Sequence, residues 1–359
     1  MQYSEDEKYM ARCLDLAIKA YNNAAPNPLV GAVLVYNNKI IGSGYHKQYG
    51  QAHAEVNCLQ SVREKDKKWI SKSTLYVSLE PCSFHGNTPA CSQLIIDYKI
   101  PKVVIACLDP HPKVSGNGVK QLKKAGIEVI TGILEKESLF LNRKAFTSYI
   151  KKRPYITLKW AETANRYFAP LDKSRKMISN TLVRYFVHDL RRKHHSILVA
   201  YKTAKNDNPA LTNRYWKGGQ QPIRIILDYK GDLPKDLQVF DGKIKTLHFI
   251  PEDSKNVYEN EININHLVLN FNTNDSWENL LEALHKMKIQ SLFIEGGAYT
   301  LQQFINRGLW DEAIQIQSNY TWDEGLFAPQ LKSAILYKRR NLNSNTINFW
   351  RHEQNDYIL

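Results

Sequence analysis

Thr74-Leu75-Tyr76-Val77-Ser78-Leu79-Glu80-Pro81-Cys82 sets the architecture of the first half of the chain. Residues 74–79 are apolar enough for a buried strand, and the proline stops it. Cys91 follows nine positions after Cys82 and opens a helix expected over 91–98. Upstream, His53-Ala54-Glu55 stands at the start of a second expected helix, from 54 to about 64. A histidine, a glutamate, a Pro-Cys pair and a further cysteine are the parts of a zinc deaminase centre. Such a centre needs three His/Cys/Cys ligands, one open coordination position, and a carboxylate that moves protons without binding the metal. His53, Cys82 and Cys91 are the candidate ligands, and Glu55 is the candidate proton shuttle. A helix start near the cysteines favours the thiolate that a metal requires. A hidden fourth ligand, Cys58 or His46, would instead make a closed structural site.

On either side of this stretch, strand and helix patterns alternate. Ser4 with Glu7 reads as a capping box for a helix that ends at a breaker cluster over 22–28. Residues 29–36 and 39–42 form a hairpin around Asn37-Asn38. Strands are expected at 103–107 and 127–130, and helices at 119–125, closed by Gly126, and at 135–152. Lys151-Lys152-Arg153-Pro154 ends the last helix, and the domain boundary is placed there, giving domains 1–150 and 151–359. A second series follows, with strands at 155–161, 196–200, 223–228, 246–250, 267–271 and 291–294. Its helices are expected at 182–193, at 276–288 and from the Gly-Gly pair to about 306. Alternation of this kind argues two α/β domains, the second with a mostly parallel sheet.

Composition agrees. A chain of 359 residues exceeds the roughly 250–300 at which one core stops growing. A hydrophobic fraction of 43% with 23% charged residues excludes a disordered or collagen-like chain. No apolar run reaches the roughly 18 residues of a membrane span, and the acidic start Met1-Gln2-Tyr3-Ser4-Glu5 lacks the features of a signal peptide. No membrane partner is expected. Five cysteines fit a reducing, cytoplasmic location, with Cys13, Cys58 and Cys107 as small buried hydrophobes. The net charge of +14 points to an anionic partner: nucleic acid, a phosphorylated small molecule or a dinucleotide.

In the second domain, Glu295-Gly296-Gly297-Ala298 follows an apolar strand and opens a helix. Paired glycines let backbone amides approach a phosphate at the helix start. Thr203 and the run Asp207-Asn208-Pro209-Ala210-Leu211-Thr212, with Arg214 beyond it, form a second cluster. Arg191 and Arg214 suit a phosphate or sugar, or are solvated surface charges. Which way Lys159 faces is undecided.

Eight residues separate Cys82 from Cys91, where nucleic-acid and cytidine deaminases have two. That spacing, with Pro26-Asn27-Pro28-Leu29-Val30-Gly31 and Asp109-Pro110-His111-Pro112, resembles the bifunctional riboflavin-biosynthesis deaminase/reductase family. The likeness runs from Tyr9-Met10 to about Glu312. It implies a cytidine-deaminase-like three-layer α/β domain followed by a dihydrofolate-reductase-like α/β domain, with one zinc per chain and NADPH as cofactors. It implies zinc-dependent hydrolytic deamination of 2,5-diamino-6-(5-phosphoribosylamino)pyrimidin-4(3H)-one, then reduction of the ribosyl side chain to ribityl. Zinc would sit on His53, Cys82 and Cys91, with Glu55 as shuttle and Asn27, His46 and Asp109 on the substrate. Ala161, Thr203, Asp207 and Gly297 would touch NADPH, and Arg191, Leu211, Arg214 and Glu295 the ribosyl substrate. Apart from the resemblance, Asn27 between prolines and Asp109-Pro110 read better as plain turns.

Three segments depart from the family pattern. Asn87 stands where the family has Lys or Arg. Thr163-Ala164-Asn165-Arg166 replaces Ser-x-Asp-Gly, and Arg175-Lys176-Met177-Ile178 replaces Ser-x-Trp-Ile. The family glycine permits close backbone approach, a freedom Arg166 is expected to lack. An active reductase is expected, against a weakened one or a domain kept for structure. Two other classes compete: a tRNA-type nucleic-acid deaminase, and a zinc-stabilised binding protein without turnover. A phosphorylated pyrimidine is the expected partner, with no nucleic acid. The pattern does not choose between monomer and homo-oligomer; residues 135–152 and 313–359 are the segments available for an interface.

Overall fold

The computed structural model describes residues 4–21, 23–83, 90–111, 115–172, 177–216, 220–254 and 259–355. The chain divides into two units, one through Lys152 and one from Arg153. The first begins with α1 (Glu5–Ala17), whose capping box is present: Ser4 Oγ accepts the Glu7 amide and Glu7 accepts the Ser4 amide. β1 (Gly31–Tyr36) and β2 (Lys39–Tyr45) form the hairpin, and Asn37 and Asn38 both take positive φ, as a tight two-residue turn demands. Then come α2 (Ala54–Gln60), β3 (Thr74–Leu79), α3 (Cys91–Asp97), β4 (Lys102–Cys107), α4 (Asn117–Lys124), β5 (Glu128–Thr131) and α5 (Glu135–Lys151).

The sheet order is β2-β1-β3-β4-β5, antiparallel at β1 and parallel from β3 to β5. Alternation along β1 makes the layers. Ala32 and Leu34 pack with Ala54, Cys58, Ile95 and Leu122 from α2, α3 and α4, while Val33 and Val35 pack with Met10, Cys13 and Leu16 of α1. Gly31 is required where α1 crosses, because a Cβ there would lie 2.0 Å from the Cys13 carbonyl oxygen. The helix expected to reach 64 stops at Gln60, where the Ser61 hydroxyl bonds the Cys58 carbonyl; a 3-10 segment, Glu64–Lys72, follows.

The second unit contains β6 (Tyr155–Glu162), β7 (Tyr167–Ala169), α6 (Thr181–Arg192), β8 (Ser196–Ala200), α7 (Tyr201–Asp207), β9 (Ile223–Leu227), β10 (Thr246–Ile250) and β11 (Ile264–Val268). It continues with α8 (Ser276–Lys286), β12 (Ser291–Ile294), α9 (Ala298–Asn306), β13 (Glu312–Ser318), β14 (Leu326–Phe327), β15 (Ala334–Leu342) and β16 (Asn345–His352). Its main sheet runs β11-β10-β9-β8-β12-β6-β13-β16-β15, parallel except at β16 and β15. α8 and α9 bury Leu280, Leu281, Leu284, Leu301 and Phe304 on one face of it. On the other face α6 supplies Val183 and Val187, packed against Ile314, Ile316 and Ile347.

Two differences from the expected pattern have local causes. The strand expected at 267–271 lies at Ile264–Val268, because its parallel register with β10 pairs Thr246 with Ile264, and Asn270 then turns the chain by accepting the Asn272 amide. The β15–β16 hairpin was not foreseen. β15 is mostly exposed and carries Lys338-Arg339-Arg340, so it shows no apolar alternation. No helix among the described residues is long and apolar enough to cross a membrane.

One side chain fastens α5 to the loop before β1. Asn142 is 2% exposed; its Oδ1 accepts the Leu29 amide at 2.7 Å and its Nδ2 donates to the Leu29 carbonyl at 3.0 Å. Asn142→Ala strands both backbone groups, and urea unfolding should register a loss of about 1–3 kcal/mol. An unchanged midpoint would show that the clamp contributes nothing.

Candidate active sites

The first site is built at the end of β3. Glu80 is 4% exposed, and its carboxylate accepts the amides of Asp109 at 3.3 Å, Gly116 at 2.9 Å and Val119 at 3.2 Å. These bonds draw the 109–119 segment against the strand end. Gly118 sits so close that a Cβ would lie 2.1 Å from the Pro81 carbonyl oxygen. Cys82 comes next. Its Sγ accepts the Cys91 amide at the start of α3 at 3.3 Å, and its carbonyl accepts the Ser92 amide and hydroxyl. His53, the N-cap of α2, places Nδ1 3.6 Å from Cys82 Sγ and 3.3 Å from Cys91 Sγ.

Among the described residues, His53, Cys82 and Cys91 are the one group of three such side chains whose ligand atoms all lie within 4.8 Å of one another. In a tetrahedral zinc site with Zn–N of about 2.0–2.1 Å and Zn–S of about 2.3 Å, ligand atoms stand roughly 3.5–3.8 Å apart. The observed spacings come within a few tenths of an ångström, so the donor set fits zinc. The hydrogen bond from the Cys91 thiol, with a further contribution from His53, pulls Cys82 down to about 4 and so favours its thiolate. Glu55 lies one residue into α2 and is 3% exposed; burial pushes its carboxyl up to about 7.

Neither suggested fourth ligand is in place. His46 uses both ring nitrogens, Nδ1 on the Ala52 carbonyl at 3.1 Å and Nε2 on Asn27 Nδ2 at 3.1 Å. Nδ1 is therefore the protonated nitrogen, Nε2 accepts from the amide, and burial lowers the pKa of the ring. Cys58 and Cys13 are fully buried in the apolar cores on the two faces of the sheet, Cys107 is buried against Ser78 and Ser138, and none of the five cysteines forms a disulfide.

Asn27, His46, His53, Glu55, Cys82 and Asp109 line one cavity of about 330 Å³, a size that suits a small molecule. Asp109 serves both readings of it: Oδ1 accepts the His111 amide at 2.8 Å as a turn residue, and the carboxyl faces the cavity, raised to about 6 by burial. Tyr149 and His111, which meet edge to face at 5.1 Å, also line it; His111 stands in the quoted 109–112 motif without a role assigned to it, and Tyr149 carried no sequence signal. Asn87 lies outside the described residues.

The second site forms at the carboxyl ends of β6, β8 and β12, where open parallel sheets bind ligands. Glu295 follows β12 directly. Arg191 of α6 forks onto it, Nε and Nη2 donating at 2.9 and 2.8 Å, while Nη1 donates to the Thr212 carbonyl at 3.1 Å. Lys159 Nζ is 3.9 Å from Glu295 Oε2, so Lys159 faces the site. Burial works against the Glu295 carboxylate, but Arg191 and Lys159 outweigh it and hold the carboxyl down at about 2.

Gly297 is the N-cap of α9, and a Cβ on it would stand 3.6 Å from Thr203 Oγ1. The structure thus brings Thr203 and Gly297 together. Ala161 is half-buried near the end of β6, and Asp207 ends α7 on the surface. Leu211 is 2% exposed, with its side chain in the core and φ at +50°, so only its backbone is offered to a ligand. The Arg214 amide donates to His188 Nδ1 at 3.3 Å, and its guanidinium lies over Tyr215, 5.4 Å from the ring centre.

The departures at 163–166 have a structural account. Arg166 does adopt the left-handed conformation its position requires, with φ at +68° and its amide on the Thr163 carbonyl at 3.0 Å. Asn165 is exposed; it donates Nδ2 to the Trp322 carbonyl at 2.7 Å and accepts the Trp322 amide at 3.2 Å. A carboxylate cannot make the first bond. Met177 is 56% exposed, and Arg175 lies outside the described residues.

Comparison with known proteins supports this pairing of sites. A family model for the cytidine and deoxycytidylate deaminase zinc-binding region matches residues 3–107, and a model for the RibD C-terminal domain matches 154–318. A riboflavin biosynthesis protein RibD of Aquifex aeolicus is 40% identical over 324 residues, 89% of each chain. The RibD of Escherichia coli is 33% identical over 86% of each. A crystal structure of a diaminohydroxyphosphoribosylaminopyrimidine deaminase/5-amino-6-(5-phosphoribosylamino)uracil reductase from Thermotoga maritima superposes with a TM-score of 0.88 at 34% identity, covering 97% of this chain and 99% of that one. Fold and sites together define a deaminase and a reductase joined in one enzyme of riboflavin biosynthesis. The chain belongs to the RibD family.

The 163–166 turn can be tested on its own. Left-handed backbone costs an L-residue about 1–2 kcal/mol that glycine avoids, so Arg166→Gly should raise the melting temperature. Asn165→Asp should lower it by removing the donor to Trp322. The opposite order of melting temperatures contradicts the geometry.

Proposed function

We propose that the first unit holds one zinc on His53, Cys82 and Cys91 and deaminates 2,5-diamino-6-(5-phosphoribosylamino)pyrimidin-4(3H)-one. The second unit then reduces the ribosyl side chain of the product to ribityl with NADPH. The observation that carries the reading is the three-ligand cluster, two of whose members, His53 and Cys82, line one cavity with the buried carboxyl of Glu55. A bound zinc supplies the Lewis acidity that makes water a nucleophile near neutral pH. Glu55 takes a proton from the attacking water and delivers it to the pyrimidine ring nitrogen; it then takes the proton of the new hydroxyl and passes it to the amino group, which leaves as ammonia. Its burial suits it to both tasks, because a carboxyl that pays to stay charged exchanges a proton more readily than an exposed one. Asn27, through its amide on neutral His46, and Asp109 orient the pyrimidine and its sugar.

In the second unit, the amides at Gly297 and the Thr203 hydroxyl receive NADPH, with Ala161 and Asp207 at its margins. Arg214 meets the substrate's anionic end. Arg191, already committed to Glu295, fixes that carboxylate toward the ribosyl chain, and the Leu211 backbone completes the contact. Hydride transfer belongs to the cofactor; the protein supplies orientation and charge. The family likeness spans both units, which disfavours a nucleic-acid deaminase. The free thiols keep a cytoplasmic location as part of the proposal.

Metal analysis of the purified chain should find about one zinc, and Cys82→Ala should lose both the zinc and ammonia release. Glu55→Gln should keep zinc while ammonia release falls roughly 10²- to 10⁴-fold. Adding NADPH should then give oxidation that follows ammonia release. Ammonia from a zinc-free Cys82→Ala chain sinks the first assignment, and deamination with no NADPH consumed sinks the second.

A further inference from the structure

Helix α6 delivers two side chains to the second site on one face, Arg191 and, three residues earlier, His188. Arg191 is occupied by Glu295. The His188 ring is 4% exposed, with Tyr215 packed edge-on at 4.4 Å. Its Nδ1 lies 3.3 Å from the Arg214 backbone nitrogen, and that N–H can only donate. Nδ1 is therefore an acceptor, and a neutral ring carries its proton on Nε2.

Several groups hold the ring neutral. Burial acts most, followed by the charges of Arg191 and Arg214; Lys159 adds to them and Glu295 opposes, and the balance brings His188 down to about 4. Among the described residues, no protein group bonds Nε2. A nearly buried ring with one nitrogen fixed by backbone and the other free of protein partners is arranged for a ligand acceptor. The charges say which acceptor. Lys159, Arg191 and Arg214 already outnumber Glu295, so an anionic group has its partners, and what a neutral N–H adds is a bond to an uncharged oxygen.

We infer that His188 is a substrate-binding residue of the second site, its Nε2–H donating to a hydroxyl or ring oxygen of the ribosyl chain. This rests on the reading that the second unit takes a ribosyl substrate. His188 has a second task, since Nδ1 also fixes the segment that presents Arg214.

Two variants in the full-length chain separate the tasks. In His188→Asn the amide oxygen takes the place of Nδ1 and keeps the Arg214 anchor, but the short side chain does not reach the Nε2 position. In His188→Gln the amide nitrogen reaches it. His188→Asn should raise KM for the deaminated substrate about tenfold, the worth of one ordinary hydrogen bond, with a smaller change in kcat. His188→Gln should recover most of the loss. NADP+ binding by fluorescence titration and ammonia release by the first unit report whether the variants keep their structure. Wild-type KM in His188→Asn overturns the inference, as does an equal loss of NADP+ affinity, which marks collapse of the site. A wild-type chain that consumes no NADPH with this substrate fails the parent reading instead, and the inference falls with it.

Discussion

Glu80 accepts three backbone amides, from Asp109, Gly116 and Val119, and the first site depends on that carboxylate. Besides the Glu80 amide on the Cys107 carbonyl, it is the anchor that ties the chain leaving β4 to the end of β3. Its bond to the Asp109 amide holds Asp109 at the cavity wall, beside Cys82, which accepts the Cys91 amide at the start of α3. Each charge-assisted bond of this kind contributes about 1.5–3 kcal/mol. Glu80 touches none of the three ligand side chains through these bonds; the spacing of Cys82 and Cys91 is held by the Cys91 amide on Cys82 Sγ and by the Ser92 amide and hydroxyl on the Cys82 carbonyl.

The second site has a comparable centre in the Arg191–Glu295 fork. A buried carboxylate is costly alone, and removing its partner costs about 3–5 kcal/mol. Arg191 and Lys159 keep Glu295 ionised, and the site that results is cationic overall. This gives the net charge of +14 a more limited meaning. A few cations converge on Glu295, where the proposed reading puts an anionic substrate and a dinucleotide, while others, such as the lysines along 64–72, are plain exposed surface.

Much of this was legible in the sequence. The hairpin at Asn37-Asn38, the strand at 74–79 and the helix starts at Ser4, Ala54 and Cys91 follow from turn chemistry, periodicity and caps, which are local signals. The grouping of His53, Cys82 and Cys91 was legible because residue type and order carry the chemistry. What stayed hidden depends on partners far along the chain. Asn142 bonds Leu29 across 113 positions, and Asn165 bonds Trp322 across 157. The burial of Leu211, the exposure of β15 and the tautomer of His188 likewise follow from tertiary packing. Arg166 shows the converse: a side chain that suggested a lost conformation sits in a backbone that adopts it.

Three protein ligands and an open position would make the first site catalytic, where four protein ligands would make it structural. X-ray absorption at the zinc edge of the zinc-loaded chain tests it most directly. The account predicts two sulfur neighbours at about 2.3 Å and lighter atoms completing four, one of them from a single histidine. Three or four sulfurs, or two histidines beside the two sulfurs, would mean a closed structural site and contradict it.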